Sequence, residues 1–279
     1  MYQTLISVPD LVENLANPNW LVFDCRFSLA DTELGLFMYE GNHIQGAYYL
    51  HLDNDLSSPI TPTTGRHPMP DADQLIAKLR ACGLNNDTQV VVYDDNFGAM
   101  AARAWWLLRW LGHDQVAVLN GGFEAWRKAQ APMTSHEPEP RQGHFTAHMQ
   151  PDFIVDVDDL MQPNHPWQLV DARSVERFTG EKELIDPIAG HIPGSWNRPL
   201  TDNVEGIYFK APEVLRAEWE ALLKATPLEQ IVHVCGSGVT ACHNQLAMEY
   251  VGLTGSKLYP GSWSEWIRDP SRPIALGKD

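Results

Sequence analysis

Ile231-Val232-His233-Val234-Cys235-Gly236-Ser237-Gly238-Val239-Thr240-Ala241 joins a short apolar run to a glycine turn and then to a helical pattern. A β-branched run of this length suits a strand buried on both faces of a parallel sheet. Residues 240–252 (TACHNQLAMEYVG) carry apolar side chains at helical spacing and stop at a glycine. The same order occurs upstream, where Val90-Val91-Val92-Tyr93-Asp94 precedes the helical stretch 101–112 (AARAWWLLRWLG). Further strands are expected at Val116 to Leu119 and Lys257 to Tyr259, each leading into a glycine turn. Strand and helix in alternation predict an α/β fold with small parallel sheets flanked by helices. Open sheets of this kind bind ligands beyond the carboxyl ends of their strands, which is where Cys235 stands.

The upstream copy is part of a longer repeat. Leu21-Val22-Phe23-Asp24-Cys25-Arg26 matches Leu169-Val170-Asp171-Ala172-Arg173. Gly41-Asn42-His43-Ile44-Gln45-Gly46-Ala47 matches Ala189-Gly190-His191-Ile192-Pro193-Gly194-Ser195. Asn120-Gly121-Gly122-Phe123-Glu124-Ala125-Trp126 matches Pro260-Gly261-Ser262-Trp263-Ser264-Glu265-Trp266. The matches keep their order, so the chain reads as two similar domains, 1–137 and 151–279. Residues 138–150, with Pro138, Pro140 and Gly143 and little apolar periodicity, read as a linker. A chain of 279 residues fits two domains of ordinary size.

Composition narrows the function. Acidic residues number 36 against 20 Lys plus Arg, a net charge of −16. That balance opposes binding to nucleic acid or to an anionic membrane. No apolar stretch is long enough to span a bilayer. Met1 to Leu15 contains Asp10 and Glu13 and no basic residue, unlike a secretory or transit leader. The expected location is therefore the reducing cytoplasm. Four Cys make no disulfide scaffold, and no Cys/His group has zinc spacing, so no metal and no cofactor are expected.

The loop after Cys235 carries the chemistry. Gly236 and Gly238 remove Cβ atoms and permit positive φ, so successive backbone N–H groups can turn toward one point. The helix start adds further donors, and Thr240 or Ser237 is a candidate cap. Such a cradle favours a thiolate at Cys235. The plain alternative is a small buried cysteine in a strand-to-helix turn. In the first half Asp94 stands in the place of Cys235, so the two halves cannot share thiol chemistry.

These segments together resemble the two-domain rhodanese-type sulfurtransferases, in order over nearly the whole chain. The loop is most similar to that of 3-mercaptopyruvate sulfurtransferases, since thiosulfate enzymes usually carry an Arg-Lys pair where this chain has Gly236-Ser237. The resemblance implies two rhodanese-like domains, of which only the second is catalytic, and a persulfide on Cys235. It implies a small anionic sulfur donor, 3-mercaptopyruvate before thiosulfate. The acceptor would be cyanide, a small thiol or a dithiol protein such as thioredoxin. Donor binding falls to Arg177, in Glu176-Arg177-Phe178, beside the loop residues Gly236, Gly238, Val239 and Thr240. Ser237 would move a proton with His67, in Arg66-His67-Pro68, and with Asp53. The second arginine common before the Gly190-His191 turn in mercaptopyruvate enzymes is missing, and Lys182 is the only cation there. A persulfide carrier or docking module with weak turnover, and a double domain with a dead site, are the competing readings. A cysteine phosphatase would need an arginine where Ala241 stands.

His43 and His191 recur in both halves and are read as structural. Asp24 with Arg26 and Asp171 with Arg173 are read as framework salt bridges. Trp105, Trp106, Trp110, Trp263 and Trp266 are read as core.

Overall fold

A computed structural model describes residues 1–277, so the last two residues of the expected second domain lie outside it. The chain divides into two compact units. Unit one holds Met1–Ser58, Met69–Gln150 and Gly206–Phe209, and unit two holds Pro59–Pro68, Pro151–Glu205 and the chain from Lys210 onward. The units are therefore not contiguous in sequence.

The two exchanged segments are held by specific bonds. The Phe209 N–H donates to Asn120 Oδ1 at 3.0 Å within unit one. In unit two, the Arg66 N–H donates to Ser264 Oγ at 3.0 Å and Arg268 Nε to the Thr64 carbonyl at 3.0 Å. Residues 138–150 lie along unit one as an ordered strap. The N–H groups of Gly143, Phe145, His148 and Gln150 donate to the carbonyls of Arg80, Leu84, Leu111 and Trp110 at 2.7–3.0 Å. Phe145 is fully buried. Low periodicity marked this stretch as a linker, whereas its backbone groups find partners on neighbouring loops and helix ends.

Among the described residues, unit one contains a five-stranded parallel sheet. Its order is Leu5–Ile6, Val116–Leu119, Gln89–Tyr93, Trp20–Asp24, Ala47–Tyr49. Unit two contains a four-stranded parallel sheet in the order Lys257–Leu258, Ile231–Val234, Gln168–Asp171, Trp196–Asn197. The apolar runs Val90–Tyr93 and Ile231–Val234 occupy interior positions and are buried throughout. Side chains alternate across a strand, so uniform burial means both faces are covered. The helices Ala101–Trp110 and Ala241–Tyr250 follow these strands. The core of unit two gathers Leu169, Ile192, Val232, Val234, Tyr259, Trp263 and Trp266. Burial of a large apolar side chain contributes about 1.5–3 kcal/mol.

The repeat is visible in matching bonds. Arg26 forks onto Asp24 and Arg173 onto Asp171, each with an Nη2–Oδ2 distance of 2.6 Å. His43 Nδ1 lies 2.6 Å from the Tyr39 carbonyl and His191 Nδ1 2.8 Å from the Phe178 carbonyl. Both imidazoles stack on a neighbouring aromatic ring, Tyr39 and Phe178. Arg26 Nη2 also donates to the Asn42 carbonyl at 2.7 Å and Arg173 Nη2 to the Gly190 carbonyl at 2.8 Å, so each pair ties the end of its strand, Trp20–Asp24 or Gln168–Asp171, to the residue before the repeated histidine. The five tryptophans read as core are all buried.

Candidate active site

The Ile231–Val234 strand ends at Cys235, and the chain turns before the Ala241–Tyr250 helix. Gly238 takes φ +74°, and a Cβ there would run into the Pro260 carbonyl. Only glycine meets both demands, so the turn is encoded at this residue. Cys235 Sγ accepts two backbone N–H groups, from Ser237 at 3.4 Å and Gly238 at 3.2 Å. Cys235 is 2% exposed. With so little water at the sulfur, charge on it is stabilised by fixed amide dipoles.

The loop is anchored from behind. Ser262 Oγ accepts the Cys235 N–H at 3.1 Å and donates to the Tyr259 carbonyl at 2.9 Å. The Trp263 N–H donates to the Cys235 carbonyl at 3.0 Å and the Ser264 N–H to the Gly236 carbonyl at 2.8 Å. Ser262 holds φ +51°, a strained position for a residue with a Cβ. The Cys242 thiol donates to the Gly238 carbonyl at 3.3 Å and pins the turn from the helix side.

Unit one supplies an internal reference. The Asp94 carboxylate accepts four backbone N–H groups: Asn96 and Gly98 at 2.8 Å, Met100 at 2.7 Å and Ala101 at 2.8 Å. The Phe123 N–H donates to the Asp94 carbonyl at 2.8 Å, as the Trp263 N–H does to Cys235. Burial pushes the Asp94 carboxyl up from its ordinary range, against the pull of those four donors. The strand-to-helix turn in this fold is thus an amide cradle. In unit one its occupant is a side-chain carboxylate, one bond longer than a thiol. A sulfur atom added to Cys235 would extend that side chain by a similar reach.

Around the loop, His67 Nδ1 lies 2.7 Å from Ser237 Oγ, and both residues are buried. The 59–68 segment therefore delivers His67 to the turn. Ser237 and Thr240 do not cap the helix. Thr240 has helical dihedrals and makes no side-chain cap bond, whereas a side-chain cap needs an extended backbone. Val239 is buried and Thr240 half-buried. Asp53 belongs to unit one, where its N–H donates to His51 Nδ1 at 3.1 Å.

Arg177 lies on the short helix Val175–Thr179. Its Nε donates to Glu183 at 2.9 Å and its Nη2 to Asp186 at 2.8 Å. Arg66, the residue before His67, is paired with the other Asp186 oxygen. A Cβ on Gly236 would stand 2.8 Å from Arg66 Nη2 and 3.3 Å from Arg177 Nη2, so two guanidiniums cover the residue next to Cys235. Burial pushes the Asp186 carboxyl up even though Arg66 and Arg177 pull it down. Burial also opposes charge on Glu183, but the bonds from Arg177 and from the Asp186 and Ile185 N–H groups outweigh it and hold that carboxyl below its usual range. The sequence offered one clue to Arg66, its place directly before the expected His67. Nothing local pointed to Asp186 or Glu183.

Comparison with known proteins follows from this geometry. The family described as Rhodanese-like domain matches residues 7–129 and again 155–269. A protein of Pseudomonas aeruginosa named "Probable 3-mercaptopyruvate sulfurtransferase" is 47% identical over 279 residues, covering 98% of each chain. Thiosulfate sulfurtransferase of Mus musculus is 33% identical over 295 residues, covering 100% of this chain and 97% of its own. The structure of 3-mercaptopyruvate sulfurtransferase from Leishmania major superposes with a TM-score of 0.85 at 33% identity, over 95% of this chain and 74% of that one.

Proposed function

Since the chain belongs to the rhodanese family, with two rhodanese-like domains in tandem, we propose that it is a sulfurtransferase. It takes one sulfur atom from a small anionic donor, 3-mercaptopyruvate first, and passes it through a persulfide on Cys235 to a thiol or to cyanide. The observation that carries this reading is the Cys235 sulfur at a strand end, holding two loop amides, with a Ser237–His67 hydrogen bond beside it.

The thiolate of Cys235 attacks the donor's sulfur. An S–S bond forms, the donor's C–S bond breaks, and its electron pair leaves as the enolate of pyruvate. The proton from the donor thiol passes by way of Ser237 and His67 to the enolate carbon. The products are pyruvate and a Cys235 persulfide anion. Cyanide or a thiolate then attacks the outer sulfur, the S–S bond breaks, and the Cys235 thiolate returns. This is covalent catalysis in two displacements. The Ser237 and Gly238 amides stabilise negative sulfur, as an oxyanion hole stabilises oxygen. Arg177 grips the donor's carboxylate through Nη1, the nitrogen that its bonds to Glu183 and Asp186 leave over. The chemistry uses side chains and backbone of the protein alone.

Several features bear on context. All four cysteines are free, which fits a reducing cytoplasm and a small-thiol or thioredoxin-type acceptor. Among the described residues, no helix is long and apolar enough to cross a membrane. Asp94 in the place of Cys235 makes unit one non-catalytic in this reading. Thiosulfate is the second donor candidate, favoured by the identity shared with the mouse enzyme.

The test is to supply mercaptopyruvate, then thiosulfate, each with cyanide, and to follow thiocyanate against a Cys235→Ser control. Turnover with mercaptopyruvate above that control is expected. Equal rates for wild type and control with both donors overturn the proposal.

A further inference from the structure

The resemblance supplies one donor-binding arginine, Arg177, and leaves the place of a second one empty in sequence. Folding brings another guanidinium to the loop from 120 residues upstream of Asp186. We propose that Arg66 is the second arginine of the donor subsite and that it grips the donor's anionic group together with Arg177. This assignment rests on the sulfurtransferase reading above.

Four observations carry it. First, Nη2 of Arg66 and both terminal nitrogens of Arg177 lie within 2.8–3.6 Å of the point where a Gly236 Cβ would stand. The missing side chain is what gives the guanidiniums room beside the Cys235 loop. Second, Asp186 holds the two arginines side by side, one carboxylate oxygen to each. A carboxylate is thus already the bridging group for this pair, and one terminal nitrogen of each arginine, Arg66 Nη2 and Arg177 Nη1, is left out of that bridge. Third, Arg66 Nε is buried without a hydrogen-bond partner among the described residues. A buried charged donor with nothing to bind is costly unless a ligand supplies the acceptor. Fourth, Arg66 is tied to the loop it serves. Its N–H donates to Ser264 Oγ at 3.0 Å, and the Ser264 N–H donates to the Gly236 carbonyl at 2.8 Å. The next residue, His67, reaches Ser237.

The chemistry sets the kind of donor. Asp186 and Glu183 balance the two guanidiniums, so what faces the loop is a pair of N–H donors, Arg66 Nη2 and Arg177 Nη1, rather than excess charge. That arrangement matches one planar carboxylate gripped from two sides, as an α-keto acid presents, better than a compact dianion.

Two variants, Arg66→Gln and Arg66→Lys, test this with two readouts. The first readout is KM and kcat for mercaptopyruvate with cyanide as acceptor. The second is the rate at which Cys235 is alkylated by iodoacetate relative to iodoacetamide, an anionic and a neutral probe with the same reacting carbon. Loss of one charge-assisted grip on a ground-state anion raises KM by about 10- to 100-fold, with kcat changed by less than about threefold. The iodoacetate-to-iodoacetamide ratio falls by about tenfold in Arg66→Gln. Arg66→Lys keeps the charge without the fork, so it keeps most of the ratio while KM still rises by about fivefold or more. It carries the test if the Gln variant does not fold. KM and the alkylation ratio both within about twofold of wild type overturn the assignment. If wild type makes no thiocyanate, the sulfurtransferase reading fails instead, and the alkylation ratio still decides whether Arg66 draws anions to Cys235.

Discussion

Gly238→Ala tests whether the turn after Cys235 is built around its sulfur. Gly238 sits at φ +74°, where an L residue with a Cβ is strained by about 1–2 kcal/mol. A Cβ there would also press on Pro260, 2.8 Å from its carbonyl carbon and 2.9 Å from its Cα, and closer still to its carbonyl oxygen. These are backbone atoms and cannot rotate away, so the turn itself must move. The Gly238 N–H, 3.2 Å from Cys235 Sγ, moves with it, and the Ser237 N–H at 3.4 Å follows. Strain and displacement together cost about 2–4 kcal/mol of folding stability. A hydrogen bond to a charged group contributes about 1.5–3 kcal/mol, so losing one slows attack by Cys235 about 10- to 150-fold. Urea unfolding gives the first quantity, and single-turnover persulfide formation by intact mass gives the second. A Gly238→Ala protein as stable and as fast as wild type refutes the account of the turn.

Ser237→Ala and His67→Gln should each lower mercaptopyruvate turnover by about 10- to 100-fold, and the double variant should be no worse than the slower single one. Sulfite leaves thiosulfate without needing a proton, so thiosulfate turnover should change by less than about threefold, and equal losses with both donors would contradict the proton role. Asp94→Ala leaves four buried N–H groups without their acceptor and should cost about 3–5 kcal/mol in urea unfolding, while persulfide formation in the folded protein is unchanged. His233 is buried in the central strand of unit two, 3.1 Å from Ser256 Oγ, and burial lowers its pKa to about 3. Its folded value lies below the ordinary 6.5, so the unfolded chain takes up the proton first and stability falls as pH drops below 6.5. The loss reaches about 2 kcal/mol at pH 5, and His233→Gln should remove that part of the acid sensitivity in urea melts at pH 7 and pH 5.

The fold was legible wherever local pattern carried it. Val90–Tyr93 and Ile231–Val234 announce interior strands because a strand covered on both faces is apolar nearly throughout, with His233 the exception. The Gly236-Ser237-Gly238 turn announces itself because only glycine meets its backbone requirement at Gly238. Arg66 and Asp186 were not legible, because their meeting spans 120 residues and leaves no periodic trace in either segment. The resemblance named His67 as a partner of Ser237, and the fold brings the two together across 170 residues. The strap at 138–150 was hidden for another reason. It is ordered mainly by backbone bonds to loops and helix ends, which any sequence can donate, and Phe145 is its one fully buried anchor.

The most direct test of the central claim is the mass of the protein after brief exposure to mercaptopyruvate, with the modified peptide identified. The account predicts one added sulfur atom on the peptide containing Cys235, discharged by cyanide as thiocyanate and absent from Cys235→Ser. Sulfur found on Cys25, Cys82 or Cys242 instead, or thiocyanate released by Cys235→Ser at the wild-type rate, would contradict it.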